Sequence, residues 1–387
     1  MYYNRIAESL IKEYLKSFRV VGIMGPRQSG KSTMIRHLLK DSYNYITFDS
    51  LEIRELFNSD PVLFIQKYNR HIVFDEVQQV PDLFPLIKTV VDKNPGDKGR
   101  FVLTGSGQFL LSKNISESLA GRIGVIPLLP MQYSESPDSY RRNFILSGGY
   151  PEIAAGNIRN PLIYFDSYLN TYLQKDLRAM INVSDLHAFT QLIRLLAVRV
   201  TQILNLSGLS KEIGVTVSTI SRWISVLEAS YIIFLLNPHH NNLGKRIVKS
   251  PKIYFYDNGL LDYLTGTVTH EQIETGILSG PLFENLIISE IRKSLFHYGN
   301  FSTMSFLRTN HGDEIDLILD SGTASKLLEI KSSVTYRPHF HKALVKMPDD
   351  IVKARFVIYK GETREVIQNI TAWNYHDFLN SDILQNL

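Results

Sequence analysis

Residues 20–33 read Val-Val-Gly-Ile-Met-Gly25-Pro26-Arg27-Gln28-Ser29-Gly30-Lys31-Ser32-Thr33. An apolar strand runs into G-x-x-x-x-G-K-S, and a helix-like stretch, Lys31 to Leu39, follows. Strand, glycine turn and helix in this order predict a phosphate-binding loop. The glycines let backbone N–H groups curl around phosphate oxygens, and the helix N-terminus adds a favourable dipole. Such a loop constrains the fold, because it needs a parallel strand behind it and a crossover helix in front. Lys31 is predicted to reach the β- and γ-phosphates and Ser32 to hold Mg²⁺. Downstream, His71-Ile-Val-Phe-Asp75-Glu76 is an apolar strand ending in two acids. On its own that is often a solvated strand end. Beside a phosphate loop it supplies what nucleotide hydrolysis needs: Asp75 to support Mg²⁺ and Glu76 to polarise the attacking water.

The rest of the first 133 residues alternates short β-rich runs (YNYITFD, RFVLTGS) with helical spacing. That alternation predicts a parallel sheet with helices on both faces. A Pro/Ser/charge-mixed stretch, 127–143, reads as a boundary. Helical spacing then dominates to about residue 236, as in LHAFTQLIRLLAVRVTQIL. A second polar, Gly-containing junction spans 265–281. We therefore expect three domains: an α/β core over 1–133, a helical region over 134–270 and a small α/β domain over 271–387. A chain of 387 residues is long enough for this.

Composition adds bounds. A net charge of +4, from 42 basic and 38 acidic residues, does not by itself require a nucleic-acid partner. The absence of Cys excludes disulfides and Cys-based zinc sites. The N-terminus has no apolar signal core, and no apolar run is long enough for a bilayer, so the expected location is the cytoplasm, with no membrane partner.

At the phosphate loop the chain resembles AAA+ ATPases. It resembles in particular a prokaryotic family in which "GPRQSGKST" and "FDEVQQVPDLFPLIK" precede "LTGS" and "LAGR". That resemblance implies ATP as ligand, with Mg²⁺, and an ATPase that can form oligomers. It carries Thr104 or Ser106 to a sensor position beside the γ-phosphate. It makes Arg122 a phosphate-facing arginine, acting within the chain or on a neighbour.

Residues 206–228 have a helix–turn–helix rhythm. Gly214 supplies the turn and Thr216 an N-cap. Val217, Ile220, Ile224 and Leu227 are the expected buried stripe, leaving Thr219, Ser221, Arg222 and Ser225 outward for base edges or phosphates. A basic wing would follow, with Lys245, Arg246, Lys249 and Lys252. DNA is the expected partner. A solvated hairpin, or a winged helix used for packing or protein docking, is the competing reading.

In the last third, Glu284 lies on the apolar face of a helix with Ile287, Ile288, Ile291 and Leu295. A carboxylate there needs a partner. Glu314 and Asp316 share one face of a strand, and Glu329 and Lys331 share one face of the next. This order resembles the restriction-endonuclease-like PD-(D/E)xK fold, with Ile315 where Pro often precedes the first acid. The resemblance makes Asp316 and Glu329 ligands of Mg²⁺, with Glu284 assisting and Lys331 positioning water. It implies DNA cleavage, or a domain that keeps the fold without cutting and serves a nucleotide-dependent protein switch. His311 and Arg308 are close enough in sequence to touch a phosphate.

Overall fold

The computed structural model describes residues 2–106, 115–173, 186–239, 249–309, 313–348, 352–367 and 369–384. Its first sheet has strands β1 (Val20–Met24), β2 (Asn44–Thr47), β3 (Ile72–Asp75), β4 (Phe101–Gly105) and β5 (Ile123–Pro127). They lie in the order β2-β3-β4-β1-β5, all parallel. Side-chain alternation divides each strand between two cores. Val21, Ile23, Val73 and Val102 pack with Ala7, Ile11, Met34 and Ile35 on one face. Val20, Met24, Phe74, Phe101 and Leu103 pack with Phe48, Phe57, Phe64 and Phe84 on the other. Both faces are covered, which is why these strands read as continuous apolar runs rather than alternating ones. This is a P-loop NTPase-type parallel sheet, as the sequence predicts.

The middle region is helical: Asp138–Ser147, Pro151–Ala154, Pro161–Tyr168 and Leu186–Val198, then the pair Leu206–Ile213 and Val217–Ala229. Gly214 takes φ 81°, a conformation that favours glycine, and Thr216 accepts a hydrogen bond from Thr219 N at 3.1 Å. Ile220, Ile224 and Leu227 are buried as expected, but Val217 is exposed. Trp223 takes the remaining place, edge-on to Phe189 at 5.4 Å. Val217 sits at the first helical position, where the stripe has already turned toward solvent.

After this pair, β6 (Ile233–Pro238) and β7 (Lys252–Phe255) form an antiparallel hairpin. The remaining strands are β8 (Thr303–Arg308), β9 (Glu314–Asp320), β10 (Ser325–Lys331), β11 (Val352–Tyr359), β12 (Arg364–Ile367) and β13 (Ile370–Asn374). All eight join one sheet, β12-β13-β11-β10-β9-β8-β6-β7. The seam is a parallel pairing in which Asn237 and Pro238 of β6 meet Ser305 and Phe306 of β8. The sheet therefore crosses the boundary expected at 270/271, because β8 would otherwise leave its edge unpaired.

A 20-residue helix, Ser279–Tyr298, lies over this sheet and reaches the first core. At its C-terminal end His297 is fully buried against Leu129 and Gln132. Among the described residues no helix is long and apolar enough to cross a membrane.

Candidate functional site

The phosphate loop leaves β1 and enters the helix Lys31–Leu39. Gly25 is required here: a Cβ would stand 2.1 Å from Leu128 O. Gly30, at φ 92°, makes the left-handed turn into the helix. Lys31 is buried and folds back on the loop, donating to Gly25 O at 3.0 Å and Pro26 O at 2.7 Å. Burial lowers its pKa to about 8, against the pull of Glu76 and Asp75. A phosphate there would give this buried ammonium a counter-charge.

Asp75 ends β3 opposite Thr47, between neighbouring strands. It accepts from Ser32 Oγ at 3.1 and 3.2 Å, from Tyr45 OH at 2.5 Å and from Thr104 Oγ1. Glu76 follows in the left-handed region, at φ 58° and ψ 44°. Burial raises its pKa, opposed chiefly by Lys31. Gln78 Nε2 donates to Glu76 Oε2, and also to Ser106 Oγ at 3.3 Å. Thr104 thus engages Asp75, whereas Ser106 joins Glu76 and Gln78. Ser32, Asp75 and Thr104 are hard oxygen donors in contact, a set that fits Mg²⁺.

A cavity of about 930 Å³ opens beside the loop. It is walled by Arg27, Gln28 and Thr33 on the loop side and by Tyr2, Tyr3 and Tyr164 opposite.

Arg122 is elsewhere. It precedes β5 at the end of the sheet remote from the loop, where Val20 pairs with Ile123. Its guanidinium holds Asp92 through two contacts of 2.5 and 2.9 Å. The length of β1 separates it from the phosphate loop of its own chain.

In the eight-stranded sheet the predicted C-terminal set does converge. Lys331 Nζ lies 2.5 Å from Glu329 Oε1 and 3.7 Å from Asp316 Oδ2. Asp316 Oδ2 also accepts from Ile330 N at 2.8 Å. Two further residues come from β7. Lys252 Nζ lies 2.6 Å from Glu314 and 3.3 Å from Glu284, and Tyr254 OH donates to Glu284 at 2.6 Å. Burial pushes Glu284 up to about 7, opposed by Lys252. Burial and then Asp316 push Glu329 up to about 8. Glu329 Oε2 is buried with no hydrogen-bond partner among the described residues. In this arrangement the acids do not fit a divalent ion: among the described residues no three His, Cys, Asp or Glu side chains are disposed to hold one. Arg308 is exposed, 3.7 Å from Glu314.

On the helix–turn–helix, Ser221, Arg222 and Ser225 are exposed and Thr219 is half-buried. Lys249 is exposed, while Lys245, Arg246 and His311 lie outside the described residues. Lys252 is corrected from wing surface to buried ion pair.

Sequence reasoning missed Arg5, Tyr45, Gln78 and Tyr254, and gave Lys252 a different place. Arg5 is buried, and its three nitrogens reach Glu135 at 3.1 Å, Ser29 O at 2.9 Å and Leu129 O at 2.7 Å. A signal existed for the β7 pair: Lys252 and Tyr254 share a strand face by period two.

Comparison with known proteins bears on these regions separately. Residues 17–136 match the family model for an AAA domain, and residues 139–271 and 279–378 match two domains of unknown function, DUF8612 and DUF4143. With the strand order and loop geometry, this makes the N-terminal region an AAA-type nucleotide-binding ATPase domain. The chain is 29% identical over 366 residues to an uncharacterized protein of Mycobacterium tuberculosis, covering 93% of this chain and 81% of the relative. It is 22% identical over 390 residues to one of Methanocaldococcus jannaschii, covering 89% and 83%. Among solved structures, a Walker-type ATPase of Pyrococcus abyssi is similar at TM-score 0.47 and 16% identity, over 67% of this chain and 94% of that one.

Proposed function

We propose that the protein hydrolyses ATP at the phosphate loop and couples the nucleotide state to a DNA-binding, nuclease-type C-terminal half. The carrying observation is the meeting of Lys31, Ser32, Asp75 and Glu76 at the ends of β1 and β3. ATP would place its phosphates on the backbone of Gly25–Thr33, with Arg27, Gln28 and Thr33 at the cavity side and Ser29 buried behind the loop. The base and ribose would enter the cavity lined by Tyr2, Tyr3 and Tyr164. Mg²⁺ would be held by Ser32 and Asp75 and would offset charge between the β- and γ-phosphates. Lys31 would leave the carbonyls of Gly25 and Pro26 for the phosphate. Glu76, its proton affinity raised by burial, would take a proton from the attacking water, and Ser106 would face the same space. Arg122 fits a role toward a neighbouring subunit, since it stands on an outer end of the sheet.

The DNA reading is supported by the exposed polar face of the helix Val217–Ala229, with Arg222, and by the exposed Lys249 ahead of β7. The nuclease-type reading is supported by the convergence of Glu284, Asp316, Glu329 and Lys331.

The test is turnover and nucleotide binding measured together. Lys31→Ala is expected to lose ATP binding. Glu76→Gln is expected to keep binding while turnover falls by about 10²- to 10⁴-fold. Wild-type turnover in Glu76→Gln would overturn the assignment. For the second half, DNA affinity of the wild type should fall between low and moderate salt, and less steeply in Arg222→Ala.

A further inference from the structure

The ammonium of Lys252 bridges Glu284, an acid of the nuclease-type set, and Glu314, which shares a strand face with Asp316. It lies 2.6 Å from Glu314 and 3.3 Å from Glu284, and 5.3 Å from the centre of the Phe306 ring. Its side chain is only 3% exposed. Lys331 occupies the other side of the cluster, 2.5 Å from Glu329 and 3.7 Å from Asp316. Glu314 Oε1, Glu284 Oε1, Glu329 Oε1 and Asp316 Oδ2 each face one of the two ammonium groups, and Glu329 Oε2 is buried with no hydrogen-bond partner among the described residues. A small divalent ion needs several such oxygens at about 2.1 Å in near-octahedral array. Oxygens turned toward two ammonium groups cannot supply that array, and a metal entering there would meet like charge.

We propose that Lys252 is a built-in counter-cation that keeps the C-terminal acidic site closed to divalent metal. The inference rests on reading Glu284, Asp316 and Glu329 as a nuclease-type set. It goes beyond that reading, because the lysine comes from β7, in the segment that matches a different family model from the acids. The site is composite, and displacement of β7 opens it. In the chain the hairpin follows the helix–turn–helix.

The test is Mn²⁺ binding to the full chain, read by electron paramagnetic resonance, in a Ser32→Ala background that silences the phosphate-loop metal. Wild type and Lys252→Arg are expected to bind Mn²⁺ weakly. Lys252→Met keeps the stem on Phe306 but removes the charge, and is expected to bind at least tenfold more tightly. Adding Asp316→Asn should abolish that gain. A charge-balanced Lys252→Met/Glu314→Gln variant guards against loss of folding, checked by circular dichroism. Equal, Asp316-dependent binding in wild type and Lys252→Met would overturn the role of Lys252 and leave the nuclease-type reading standing. Folded variants in which neither Lys252→Met form binds Mn²⁺ would sink the nuclease-type reading itself.

Discussion

Tyr45 gives Asp75 a hydrogen bond of 2.5 Å, and Arg36 lies 3.9 Å over its ring. The hydroxyl fixes the carboxylate in the orientation that faces Ser32. A hydrogen bond to a charged group contributes about 1.5–3 kcal/mol. Tyr45→Phe should therefore weaken Mg²⁺–nucleotide binding by roughly ten- to a hundredfold, measured by calorimetry with and without the metal. An unchanged affinity would mean that Ser32 and Thr104 hold Asp75 without help. At this scale the sequence was most legible where function is local. Gly25 to Thr33 act as one contiguous loop, so their spacing alone declares them. Tyr45 and Arg5 act on residues far along the chain, and nothing in their own neighbourhood marks them. Arg122 lies in a readable motif, but the end of the sheet it occupies is set by strand pairing and not by its neighbours in sequence.

Among the elements, strands were easier to foresee than their partners. HIVFDE and RFVLTGS announce buried strands by composition, whereas the pairing of β6 with β8 joins residues more than sixty positions apart. The polar junction 265–281 reads as a linker, yet the sheet on either side is continuous. A fragment of residues 271–387 would begin without β6 and β7. It would expose the edge of β8 and leave Glu284 and Glu314 without Lys252. We expect that fragment to aggregate, whereas one beginning near residue 230 should be monodisperse in size-exclusion chromatography. The helix–turn–helix was legible through Gly214 and Thr216. Its stripe was misjudged only at Val217, where the first helical turn had left the buried face.

Across the molecule, the first core and the helix Ser279–Tyr298 meet at a buried polar joint. His297 Nε2 accepts from Leu129 N at 3.2 Å, and its Nδ1 lies 2.9 Å from Gln132 Nε2. Glu135, nearby, holds Arg5 and accepts from Ile6 N at 2.6 Å. Burial depresses His297 to about 3 from 6.5. The imidazole is neutral in the fold and takes a proton on unfolding, so its contribution is complete above about pH 6.5 and is lost as pH falls toward 3. Each unit of separation corresponds to roughly 1.4 kcal/mol. The acid limb of a stability–pH profile should be shallower in His297→Gln than in wild type, read from urea midpoints. A parallel pair of curves would place the acid sensitivity elsewhere.

The shared sheet also bears on how such a protein can be inherited. Exchange between relatives at the polar junction would deliver the acids Glu284, Glu314, Asp316 and Glu329 with a stranger's lysine, or with none. Exchange just before Ile233 would move the hairpin, the lysine and the acids as one unit. The exchangeable module of this chain is therefore longer than its sequence families, and recombinants joined near 270 should be rarer among natural relatives than those joined near 230.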